Sequence, residues 1–517
     1  MLRCLYIFAI LIAVAGSAVA TTVQTTGPVQ TDTGQVLGLL TGAERSVIVF
    51  KGIPYAAPPV GTLRWRPPAP VAPWTGVREV FDFGPVAPQE PSNFGGVTAD
   101  AEMSEDCLFL NVWTAAETRD AGLPVMVWIH GGGFRIGAGS LPLYDGTKLA
   151  EAGAVVVTFN YRLNVFGAFA HPLLTEESGI DASGNYGLMD QVEVLRWIRR
   201  NIAAFGGDPD NVTIFGESAG GRSVSLLMAS PLTEGLFHRA IAHSGALRDT
   251  ATPLAEREKQ GVEMSDAVGA ADLDALRALP WDAFPDAGSF ASNPIVDGWV
   301  IQRNPEHIYA DGQQHDVPLM AGINADEATY RLVQSGPRTV EAYRDYVVGQ
   351  FGDNAPQILE AYRVDTDEQA YAMADEIGTD SAMTLHARRQ MRWMEKVSSK
   401  AYLYYFTRVP PNRAGALLGA HHGAEIRYVF GNLVLDAADD FKVSHVDVQL
   451  SDALVRYWVQ FARTGSPNVE GLQRWPAYEA RTGMYLELGD DLRVGTYLHK
   501  DRLDVLEQAV YGTYRGE

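Results

Sequence analysis

At 517 residues with 46% apolar side chains, the chain can bury a large core. Its formal net charge of −22 argues against nucleic acid or an anionic membrane surface as a partner, because phosphate binding needs a basic footprint. Length alone would allow about two to four domains.

Residues 1–20 read as a secretory signal. Arg3 is the early charge, Leu5 to Ala15 form an apolar core, and Ala18-Val19-Ala20 is a small-residue cleavage site. The apolar stretch is short for a membrane anchor, and no later window reads as a span. The expected mature chain begins near Thr21 and is exported, to the periplasm or the medium. Cys4 lies in the signal, so Cys107 has no cysteine left for an intrachain disulfide and stability must come from the core. The setting of Cys107, at the start of an apolar run, reads as buried and inert.

Further along, Val36 to Leu40, Ser46 to Lys51 and Cys107 to Trp113 are short strand-like runs. Val125 to His130, Val155 to Asn160, Val212 to Phe215, Ala240 to His243 and Val317 to Ile323 are nearly continuous apolar runs, the pattern of parallel strands buried on both faces. Helix-like stretches at Leu188 to Ala203 and Ser218 to Ala229 separate several of them, which predicts an α/β fold with a central, mostly parallel sheet. Pro253 to Phe290 and Val340 to Lys396 read as helical insertions covering one side of the sheet. The proline-rich Pro67 to Pro73 reads as a surface loop within one domain.

Chemistry concentrates at Gly216-Glu217-Ser218-Ala219-Gly220, between the run ending at Phe215 and a helix-like stretch. Gly-x-Ser-x-Gly at a strand-to-helix junction is a nucleophile elbow, a turn tight enough to need its glycines, which lifts the serine hydroxyl above the sheet. Acyl transfer by that serine also needs oxyanion donors, a base and an acid that orients the base. His130-Gly131-Gly132-Gly133-Phe134 follows the strand Val125 to Ile129, where an oxyanion loop belongs. Gly132, Gly133 and the Ala219 N–H are therefore the candidate oxyanion hole. Acid candidates are Asp297, Asp326 and Glu327; base candidates are His386, His421, His422, His445 and His499. Of these, His421-His422-Gly423 sits in a glycine-flanked loop suited to a base, and the residue patterns leave the choice of acid open.

Longer segments surround these motifs. Phe50 to Gly61 with Leu63-Arg64-Trp65, Ser104 to Val112, Gly184 to Gln191, Phe205 to Pro209 and Phe215 to Gly221 together resemble the type-B carboxylesterase family, which includes the cholinesterases and neuroligins. The resemblance covers nearly the whole chain after the signal. It implies one α/β-hydrolase domain over 21–517, with helices on both faces of the sheet and helical insertions over the active site. It implies a serine carboxylic-ester hydrolase that forms an acyl-enzyme on a small-molecule ester and uses no metal or organic cofactor. The family's Gly-x-Asn-x-Asp-Glu and His-Gly-x-Glu-Ile patterns select Glu327 and His422 as partners of Ser218. In such relatives Glu217 is a buried carboxylate that tunes the site, and Arg64 with Glu105 is a buried ion pair.

Departures from the family bear on the substrate. Relatives bond the cysteine at Cys107 to one about twenty residues earlier, where this chain has Ala87, and the loop between lacks the tryptophan that binds choline. Only Phe290 remains of the acyl-pocket aromatics expected in Gly288 to Ser292, which predicts a roomier acyl pocket. Phe134, Phe290, Tyr330 and Arg331, with Glu217, are the expected pocket residues. Arg331 stands where relatives often carry an aromatic and suits a substrate carboxylate. The alternatives are a hydrolase of amides or lactones on the same scaffold and a neuroligin-like binding protein without catalysis.

Overall fold

In the computed structural model the described residues are 25–512, except 26, 43–45, 93–95, 246, 248–251, 285–291 and 436–437. The expected signal peptide and Phe290 lie outside them. Eleven strands form one sheet: β1 (Leu39–Thr41), β2 (Val47–Pro54), β3 (Phe109–Thr114), β4 (Leu123–Ile129), β5 (Val155–Phe159), β6 (Gly207–Glu217), β7 (Arg239–His243), β8 (Leu319–Asn324), β9 (Ala401–Phe406), β10 (Met484–Leu488) and β11 (Leu492–Thr496). Their order in space is β1-β2-β3-β5-β4-β6-β7-β8-β9-β10-β11. From β5 to β10 all neighbours run parallel; the pairs from β1 to β5 at one edge and β10–β11 at the other are antiparallel.

The principal helices are α1 (Tyr186–Asn201), α2 (Ala219–Leu227), α3 (Leu254–Ala267), α4 (Val340–Phe351), α5 (Asp367–Thr379), α6 (Leu385–Trp393), α7 (His445–Thr464) and α8 (Lys500–Tyr511). They cover both sheet faces, which is why the central strands have no polar side. Val125, Val127 and Ile129 of β4 join the core under α1, α2 and α6. The alternate residues Met126 and Trp128 join Phe215 and the apolar stripe of α7 on the other face. A third cluster joins α4, α5 and α8 to Ala328 and Leu332, just past the end of β8. The insertion thus packs directly onto the segment that carries Glu327. This architecture matches the expected α/β-hydrolase fold.

Several details differ from the sequence patterning. β6 starts at Gly207, five residues before the apolar run, because its first half pairs outside the core and is partly exposed. β9, β10 and β11 were not anticipated. Ala401–Phe406 is aromatic-rich and its run alone does not separate strand from buried helix, while β10 and β11 form a half-exposed edge. No helix among the described residues is long and apolar enough to cross a membrane.

Cys107 is a buried free thiol whose pKa burial pushes up, so it is inert as a nucleophile. It lines a small cavity with Ala87, Arg64 and Glu105. Arg64 clasps Glu105 through both carboxylate oxygens, at 2.7 and 2.5 Å, and also donates to the Leu276 and Leu279 carbonyls. This clasp fixes the loop ahead of β3.

Candidate active site

β6 delivers the candidate nucleophile and α2 departs from it. Ser218 lies between them at φ 56°, ψ −118°, a conformation that L side chains rarely adopt. The flanking glycines are there for room. A Cβ on Gly220 would stand 1.9 Å from the Ile129 carbonyl oxygen, and one on Gly216 would stand 2.5 Å from the same atom. The elbow is therefore pressed against the end of β4, and β4 runs straight on into His130-Gly131-Gly132-Gly133.

That loop is built to face the serine. A Cβ on Gly131 would meet the Glu217 backbone oxygen at 2.7 Å and the Ser218 Cβ at 3.1 Å. Gly132 and Gly133 have φ of 96° and 66°, and the Gly132 carbonyl accepts from the N–H groups of Arg135 and Ile136. His130 anchors the loop: burial lowers its pKa to about 4, its ring stacks on Tyr161, and Tyr161 donates to its carbonyl. Among the described residues no acceptor receives the N–H groups of Gly132, Gly133 or Ala219. N–H groups left without an acceptor near the elbow, one of them at a helix N-terminus, suit an anion.

β8 delivers the acids. Glu327 Oε1 accepts from the Asn324 N–H at 2.8 Å and from the Ser244 hydroxyl, while Oε2 lies 2.5 Å from His422 Nδ1. Asp326 points the other way, where its Oδ2 accepts from the Ala420 N–H at 2.6 Å. Asp297 closes a turn, accepting from the N–H groups of Trp299 and Ile301. Among the histidines, His421 Nδ1 is spent on the His422 carbonyl at 2.8 Å, and His386 is buried against Tyr511. His445 is an exposed first residue of α7, and His499 faces Asp380 at 2.9 Å. Of these histidines, only His422 meets one of the candidate acids among the described residues.

His422 Nε2 lies 3.1 Å from Glu217 Oε1, and among the described residues no hydrogen bond joins it to the Ser218 hydroxyl. Burial pushes the Glu217 carboxyl up to about 8. Burial opposes charge on His422 as well, but the carboxylates of Glu217 and Glu327 outweigh it and raise the imidazole to about 10. The two shifts bear on each other across that contact. Burial thus favours a proton on Glu217, and that proton would remove one of the two charges that hold the imidazolium.

Behind the pair lies a network that motif reading does not reveal. Glu425, fully buried, accepts from Asn324 Nδ2 at 2.5 Å and faces His243 Nδ1 at 3.2 Å. Trp458 Nε1 donates to His243 Nε2 at 3.1 Å, so the His243 proton sits on Nδ1 and points at Glu425. Burial would raise Glu425, but these hydrogen bonds outweigh it and hold the carboxylate below its ordinary range. Ser244, with φ 47°, and Asn324 transmit this arrangement to Glu327.

Asp326 pairs with Asp375 of α5, which also accepts from the Ala328 N–H at 3.2 Å and ties the helical insertion to the acid turn. Burial first, and Asp326 second, push Asp375 up to about 8. An acid raised on folding from 3.8 to about 8 stabilises the protein fully below the lower value. Its contribution is lost as pH rises through that window. Asp375→Asn keeps the acceptor for Ala328 and replaces the shared proton with an N–H. Urea unfolding should show a smaller loss of stability between pH 5 and 9 than wild type; an unchanged difference would remove the pair as its source.

The pocket residues fare differently. Tyr330 stacks on the His422 ring at 5.5 Å. Arg331 is exposed, donates through Nε to the Tyr330 hydroxyl at 2.7 Å, and has no carboxylate within ion-pair distance among the described residues. Phe134 is buried at φ 60° beside Ser292, whose hydroxyl donates to the Gly133 carbonyl at 3.3 Å. Phe290 lies outside the described residues.

The chain is similar to known esterases over most of its length. The carboxylesterase family model matches residues 25–506. Fumonisin B1 esterase of Sphingopyxis macrogoltabida is 37% identical over 89% of this chain and 86% of its own length. Para-nitrobenzyl esterase of Bacillus subtilis (strain 168) is 35% identical over 90% and 95%. A solved PNB esterase structure superposes with a TM-score of 0.80 at 34% identity, covering 93% of this chain and 99% of that one.

Proposed function

The chain belongs to the carboxylesterase family and hydrolyses carboxylic esters, and from that premise we propose an acyl-enzyme mechanism with a preference for esters that carry a free carboxylate. Ser218 Oγ attacks the ester carbonyl while His422 Nε2 takes its proton, and Glu327 holds the imidazole in the right tautomer. The tetrahedral oxyanion rests on the N–H groups of Gly132, Gly133 and Ala219. The alcohol leaves with the proton from His422. Water, deprotonated by the same imidazole, then splits the acyl-Ser218 ester to the acid. For this, His422 must swing from Glu217 to the serine hydroxyl. A neutral Glu217 makes that movement cheap, because no full ion pair has to break. The enzyme is read as one catalytic domain over 21–517, exported by the signal in 1–20.

The observation that carries the substrate class is Arg331. Its guanidinium is held on the Tyr330 hydroxyl, Tyr330 is stacked on His422, and no carboxylate among the described residues lies within ion-pair distance of it. A cation so placed, a ring's breadth from the candidate base, suits an acidic group on the substrate. Arg331→Ala should lower kcat/KM about tenfold on a half-ester of a dicarboxylic acid, mainly through KM, and stay within about twofold on the matching neutral ester. Equal losses on both esters would refute the preference and leave ester hydrolysis itself untouched. Amide or lactone substrates remain the second reading, separated by leaving-group kinetics.

A further inference from the structure

Away from the candidate site, α6 and α8 enclose a cleft against β8 and β9, with the β10–β11 edge at its mouth. It holds about 530 Å³ of empty space, mouth included. Its walls are Ile323, Leu403, Leu498 and Leu503. Two polar groups within it are more than nine-tenths buried and lack partners: the Thr384 hydroxyl, at 2% exposure, and Arg388 Nε, at 8%. Burying such groups unpaired is unfavourable, so they call for a ligand or water to satisfy them. Thr384 ends a π-helical turn, Asp380–Thr384, that leads into α6. Turns of this kind weaken a helix locally and recur at functional sites.

The charges select the ligand. Arg388, Arg392 and Lys500 line the cleft, and among the described residues no carboxylate does. Their counter-ions stand behind on α8: Arg388 bonds Asp504 at 2.8 Å and Glu507 at 2.5 Å, Arg392 bonds Glu507, and Lys500 bonds Asp504. Glu395 at the rim is engaged with the Ala480 N–H. Both Arg388 terminal nitrogens already donate within the protein, while Nε meets no acceptor among the described residues. One N–H and one O–H, at the head of an aliphatic slot with three cations against two acids on α8, fit a single monoanion with an apolar tail. They do not fit a phosphate dianion, which needs more donors and more positive charge.

We propose that this cleft binds an aliphatic monocarboxylate of medium chain length, with its carboxylate on Arg388 Nε and Thr384 Oγ1 and its tail along Ile323 and Leu403. The ligand is of the class that ester hydrolysis releases, and its site is separate from the Ser218 pocket. Octanoate titrated into the full-length enzyme by calorimetry tests it. Thr384→Val should weaken octanoate binding about five- to tenfold, and Ala387→Leu, which fills the slot, at least about tenfold. The kcat on p-nitrophenyl acetate should stay within about twofold in both. No octanoate heat up to about 10 mM, or binding unaffected by Ala387→Leu, overturns the proposal. If neither variant folds, hydrogen exchange on wild type decides. Octanoate protection in Leu385–Trp393 and Lys500–Tyr511 supports the site, and protection absent from both helices sinks it.

Discussion

Replacing Ser218 with alanine should lower kcat on a p-nitrophenyl ester about 10⁵-fold and leave the unfolding free energy within about 0.5 kcal/mol of wild type. The first part follows from the proposed chemistry: without Oγ no acyl-enzyme forms, and the oxyanion donors alone supply only the residual rate. The second follows from the backbone. Alanine keeps the Cβ that makes φ 56°, ψ −118° unfavourable, so the strain at the elbow is unchanged. Ser218→Gly separates the two effects. It should be equally inactive and more stable, by about 1 kcal/mol, because glycine adopts this conformation at little cost. Urea unfolding with burst kinetics on the same preparations measures both. Turnover in Ser218→Ala above about 1% of wild type would move the nucleophile elsewhere.

The same strain explains why this part of the molecule was readable in advance. Gly216, Gly220 and Gly132 have no freedom to vary: a Cβ on any of them would stand within 2.5 Å of a backbone oxygen. The geometry is therefore written directly into residue identity. The central parallel strands were readable for a similar reason, since burial on both faces removes polar residues from β5 entirely apart from Thr158. The edge strands β10 and β11 carry no such constraint and left no clear pattern. Nor did residue patterns choose between Asp326 and Glu327, or His421 and His422. Neighbours in a turn face opposite sides, and which side holds the partner is set by contacts from distant segments: Ala420 and Asp375 for one acid, Ser244 and Asn324 for the other. The His243–Glu425–Asn324 network is invisible for the same reason, each member being an ordinary buried polar residue until β7, β8 and the His422 loop meet.

Those distant contacts make Glu327→Gln the sharpest test of the proposed acid. An amide is nearly the shape of the carboxylate, so folding should survive, but its two ends are no longer alike. The position of Oε1 receives the Asn324 N–H, which can only donate, together with the Ser244 hydroxyl. The glutamine oxygen must occupy that end, which turns the NH₂ toward His422 Nδ1. The imidazole then accepts at Nδ1 and carries its proton on Nε2, the nitrogen that has to take the Ser218 proton. The base is present, correctly placed and in the wrong tautomer. The expected loss is about 10⁴-fold in kcat with KM changed by less than about threefold. Ser244→Ala in the Glu327→Gln background should not restore activity, because the Asn324 N–H alone still fixes the amide. A Glu327→Gln enzyme within about tenfold of wild type would mean that another carboxylate orients His422, and Glu217, 3.1 Å from its far nitrogen, would be the one to mutate next.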